Sequence, residues 1–79
     1  MIGFMYEGYF YCANVHKLPA MLEYHVAILA TKLPAGMPAK LTLRDEESGL
    51  KHISAEPVSP AVLDIVTQEI EKHEHISFH

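Results

Sequence analysis

Ser59-Pro60-Ala61-Val62-Leu63-Asp64-Ile65-Val66-Thr67-Gln68-Glu69-Ile70-Glu71-Lys72-His73 is the stretch that decides the class of fold. A serine at the N-cap satisfies an orphan N–H of the first turn, and proline at N1 presets φ without removing a needed donor. On a helical projection Val62, Leu63, Val66, Ile70 and His73 share one face, with Asp64, Gln68, Glu71 and His75 opposite. Asp64 toward the start and Lys72 with His73 at the end complement the helix dipole. The spacing predicts one amphipathic helix from Ser59 to about Glu74, with His73 capping the core at its end. Its apolar stripe needs a second layer to cover it.

The chain upstream supplies strands. Lys40 to Arg44 alternates polar and apolar, which aims Leu41 and Leu43 at a core. Asp45-Glu46-Glu47-Ser48-Gly49 reads as a turn, Leu50 to Ala55 as the returning strand, and Pro57 ends it. From Glu23 to Thr31, Tyr24, Val26, Ile28 and Ala30 alternate with His25, Ala27, Leu29 and Thr31, as in a strand with both faces largely covered. Ala20 to Glu23 after Pro19 would equally start a helix. Pro34, Gly36 and Pro38 then force a loop. Met1 to Val15 is rich in β-favouring aromatics, with Gly8 as its turn point. Either Glu7 and Gly8 form a two-residue hairpin, or one long strand runs through with a bulge at Gly8. In the tail, Ile76 and Phe78 alternate with His75, Ser77 and His79, so a short terminal strand is possible.

The 79 residues, 49% apolar, leave room for one domain, 1–79. A chain of this size buries only about 60% of the surface its unfolded form exposes, so disulfides, metal or self-association usually assist. Cys12 stands alone, which excludes an intramolecular disulfide and points to a reducing, cytoplasmic compartment. Met1 to Cys12 lacks a basic leader, and the apolar run from Ala20 to Ala30 is broken by Glu23 and His25, so no membrane partner is expected. The net charge of −4 is concentrated after Leu43. No cluster of Lys and Arg suited to phosphates exists, so no nucleic-acid partner is expected either.

Four groups of side chains could carry function. His73, His75 and His79 could ligate a divalent metal. In a helix His73 and His75 point about 160° apart, so sharing an ion requires the helix to stop by about Lys72. Cys12 with a histidine could form a nucleophile pair, but the chain lacks a glycine-rich phosphate loop, a nucleophile elbow, His-Glu-x-x-His and CxxC. A free cysteine in an apolar strand reads as a small core residue, and neither catalysis nor a cofactor is expected. Asp45, Glu46 and Glu47, with Asp64, Glu71 and Glu74, could imitate nucleic-acid phosphates toward a basic protein. Tyr6, Tyr9, Tyr11 and Tyr24 are amphipathic, and tyrosine is enriched where one protein surface meets another.

These readings combine into an α+β domain. A small antiparallel sheet of four to five strands carries one C-terminal amphipathic helix on one face, in the style of many small bacterial and phage accessory proteins. The expected function is a non-catalytic interaction module, a regulator, adaptor or inhibitor that covers a partner's surface. Its interface candidates are Tyr6, Tyr9, Tyr11, Tyr24, Asp45, Glu46 and Glu47. A homodimer is expected because an unpaired edge strand in so small a sheet invites cover by another chain. The alternatives are a divalent-metal-binding protein and an acidic nucleic-acid mimic.

Overall fold

The computed structural model describes residues 1–74, so the tail reading and two of its histidines, His75 and His79, lie outside the described residues. Strands β1 (Ile2–Tyr6), β2 (Tyr9–Leu18), β3 (Glu23–Ile28), β4 (Lys40–Glu46) and β5 (Gly49–His52) precede a helix, α1 (Pro60–Glu74). The strands form one antiparallel sheet in the order β1-β2-β3-β4-β5. The α+β expectation holds.

Glu7 and Gly8 settle the first ambiguity as a hairpin. Both have positive φ, 50° and 84°, as a type I′ turn requires, and its twist matches that of the strands it joins. Tyr6 thereby pairs with Tyr9, and Ile2 with Ala13. Between β2 and β3 each of the two readings holds over part of the segment. Pro19–Met21 makes one 3₁₀ turn, closed by Leu22 in the left-handed region, and the strand begins at Glu23. Pairing on both sides, with β2 and with β4, is what holds β3 extended.

Inward-facing positions, every second residue along each strand, are mostly apolar. Ile2, Phe4, Ala13, Tyr24, Val26, Ile28, Leu41 and Leu43 are buried against Val62, Val66 and Ile70 of α1. Met37, from the loop between β3 and β4, closes the same core. That loop also anchors the start of α1, because the Ser59 N–H donates to the Gly36 carbonyl at 2.8 Å. The Leu63 N–H then donates to the Ser59 carbonyl at 2.9 Å, forming the first helical bond.

Four sequence expectations need correction. The 40–55 hairpin turns only at Glu47-Ser48, since Asp45 pairs with Leu50 and Glu46 with Gly49. Its returning strand stops at His52, short of Ala55. β3 is fully covered on one face only: Tyr24, Val26 and Ile28 are buried, whereas on the other face Glu23 is buried, Ala27 half-buried and His25 exposed. His73 is exposed as well, so Ile70 is the last residue of α1 in the core.

Candidate functional site

Among the described residues the outer face of the sheet carries no helix, and its two ends differ in chemistry. At one end Met5 pairs with Phe10 and Gly3 with Cys12 across the hairpin. The Phe10 ring folds over Gly3, where a Cβ would come within 2.6 Å of Cζ. A glycine under an aromatic ring on the neighbouring strand is a stabilising cross-strand arrangement. Even so, Phe10 is 64% exposed, with Met5 at 57% and Leu29 at 50%. A cleft of about 690 Å³ opens beside this patch, lined by Glu7, Tyr9, Phe10 and Tyr11 on one side and Leu29 to Pro34 on the other.

The four tyrosines divide. Tyr9 is 70% exposed at the tip of the hairpin, where its pairing with Tyr6 gives it the inward parity of Phe4 and Tyr11, and it lines the cleft. Tyr6 and Tyr11 are half-buried against the core, Tyr11 stacking on Phe4 with ring centroids 5.8 Å apart. Tyr24 is 1% exposed and belongs to the core, with Lys17 Nζ 5.7 Å from its ring centroid. It offers no surface to a partner and is corrected from the interface set. Met5, Phe10 and Leu29 were missed by sequence reasoning. The signal for two of them was strand parity: with Phe4 pointing inward and the turn at Glu7-Gly8, Met5 and Phe10 must point outward.

The other end of the outer face is polar and centred on Glu23, which is 7% exposed. His25 Nε2 lies 3.2 Å from Glu23 Oε1, and Arg44 donates from a terminal guanidinium nitrogen to Glu23 Oε2 at 3.3 Å. His16 faces His25 from β2. The Glu23 carboxyl is held below its ordinary range, first by the hydrogen bond to His25 and then by Arg44, with burial acting in opposition. A depressed carboxyl contributes stability that is present above its unfolded pKa and is lost as pH falls through the folded value. Glu23→Gln is therefore expected to lower the urea midpoint above about pH 5, with the gap to wild type closing as pH falls below about 4. A gap that is constant across this range would show that the carboxylate's charge is immaterial.

The remaining candidates do not assemble. Asp45 and Glu46 are half-buried neighbours in β4, which point to opposite faces, and Glu47 sits exposed at the turn. His73 lies within α1, which continues to Glu74, so the extended geometry needed for His73 and His75 to share an ion does not hold there. Among the described residues no group of three or more His, Cys, Asp or Glu is placed to hold a metal. Cys12 is a free, half-buried thiol on the outer face.

No family model, curated protein or solved structure matches this chain. Among the described residues no helix is long and apolar enough to cross a membrane. The site's own geometry therefore carries the functional reading.

Proposed function

We propose that this protein is a non-catalytic interaction module, a regulator, adaptor or inhibitor that works in the cytoplasm by covering a partner protein's surface with the outer side of its β1–β2 hairpin. The observation that carries this reading is the gathering of Met5, Phe10 and Leu29, each at least half exposed, on the outer face beside one cleft whose lining includes the exposed Tyr9. Single exposed apolar residues are ordinary, whereas a contiguous group of large ones marks a contact surface. The lone thiol of Cys12 suits a reducing compartment.

The same patch favours self-association when no partner is present. Outer faces packed through Met5 and Phe10 give a homodimer held by side chains. Phe10→Asp puts a charge in the centre of that contact without touching the core, and it is expected to raise the dimer dissociation constant by at least about tenfold. Light scattering across micromolar concentrations, with circular dichroism to verify the fold, reads this directly. A wild-type protein that stays monomeric throughout, or a variant that dimerises equally well, would argue against this surface.

A further inference from the structure

Resting on the interaction reading above, the geometry points to the chemistry of the partner: we infer that the cleft beside Phe10 and Cys12 takes an extended peptide segment, which joins the sheet as an added strand along β2. β3 pairs with β2 only from Ala13 to Leu18, so among the described residues Tyr9 to Cys12 have β1 on one side and no strand on the other. The Leu29 N–H donates to the Cys12 carbonyl at 2.8 Å, which shows that this carbonyl points away from β1. Backbone direction alternates along a strand, so the Phe10 N–H and C=O and the Cys12 N–H point the same way, away from β1, with Phe10 in the wall of the cleft and Cys12 at its inner end beside Leu29. Among the described residues no hydrogen bond engages these three groups.

Two donors and an acceptor at two-residue spacing are what one edge of an extended chain satisfies. Side chains on both sides of this edge are largely apolar, Tyr9 and Tyr11 toward one face and Phe10 with Leu29 toward the other. The occupant therefore presents β-branched or aromatic residues in both directions, with polar groups confined to its ends near Glu7 and Lys32. At about 690 Å³ the cleft lies within the range of about 300–1,000 Å³ common for ligand sites. Its far wall, Leu29 to Pro34, stands where a second five-stranded sheet would have to approach, so a single peptide strand fits this edge and a second copy of the protein does not.

The test begins with selection of a displayed library of random heptapeptides on the wild-type protein. The best binder is then made in two forms, N-methylated at its odd or at its even residues. A strand paired on one edge only is expected to lose at least about tenfold in affinity with one set and to tolerate the other. In the free protein the Phe10 and Cys12 amides are expected to exchange with solvent at a rate independent of protein concentration, and to become protected when the peptide binds. Equal effects of both methylated sets would overturn strand addition while leaving the apolar surface in place, since side chains alone would then hold the ligand. Protection that rises with protein concentration in the absence of peptide would assign the edge to a second copy and overturn the inference. Selection that yields no binder would overturn it too, and the light-scattering comparison of wild type and Phe10→Asp would still judge the surface separately.

Discussion

Replacing Leu43 by alanine is expected to cost about 2–5 kcal/mol of stability, the range for deleting a buried leucine side chain. Leu43 has no exposed surface and sits mid-sheet, paired with Tyr24 on one side and His52 on the other. Tyr24 is itself 1% exposed and Val62 and Val66 are fully buried, so neighbouring groups have little freedom to close a cavity. At about 0.05–0.15 kcal/mol per residue, a chain of 79 residues has about 4–12 kcal/mol in total. The variant thus loses a large share of what it has, and urea denaturation followed by circular dichroism should show a much lower midpoint. A shift below about 1 kcal/mol would mean that the core does not close over Leu43.

Gly36→Ala is expected to be the second most damaging change, although the residue lies in a loop. Its φ is +81°, a region that costs an L-residue about 1–2 kcal/mol. A Cβ there would also stand 2.6 Å from the Ser59 Cβ and 3.2 Å from the Ser59 backbone nitrogen. Neither atom is the end of a flexible side chain. Forcing them apart adds about 1–3 kcal/mol and threatens the hydrogen bond that ties the start of α1 to the loop. Gly8→Ala is the matched control, with a φ of +84° but open space around the added methyl. Thermal unfolding should rank Gly36→Ala well below Gly8→Ala. Equal losses would mean that the contact with Ser59 is unimportant and that backbone conformation alone sets the cost.

The parts of the fold legible in sequence are those where one local signal and one periodicity agree. Ser59-Pro60 followed by Val62, Val66 and Ile70 marks a helix start and its buried stripe in one reading, and the structure places all three in the core. The alternation of Leu41 and Leu43 likewise survives, although Asp45 and Glu46 stay in the strand because Leu50 and Gly49 lie opposite them. Glu7-Gly8 was ambiguous because glutamate is a poor left-handed residue, and only the register of the whole hairpin compels it. β3 was ambiguous because apolar residues occur at both parities, so periodicity could not show that one face is open.

That open face is also why the candidate site was only partly legible. Residue type selected tyrosines, whereas exposure is decided by which way each strand position points. Tyr24 shares the inward parity of Val26 and Ile28, and Met5 and Phe10 share the outward one. The cleft arises from β3 parting from β2 after Ile28, a tertiary event with no local signature. The buried Glu23 is similar: its partners His25 and Arg44 lie on two strands, and Arg44 is 21 positions away.

The most direct measurement of the hairpin surface as the working surface is site-specific photocrosslinking in the cells that make the protein. A photoreactive phenylalanine analogue at position 10 is compared with the same group at Asn14, which lies on the same strand and the same outer face but outside the apolar patch and the cleft. Position 10 should give one dominant crosslinked species and position 14 little or none. Equal crosslinking at both positions, or a dominant species from position 14 alone, would contradict the assignment of the β1–β2 hairpin as the surface that meets a partner.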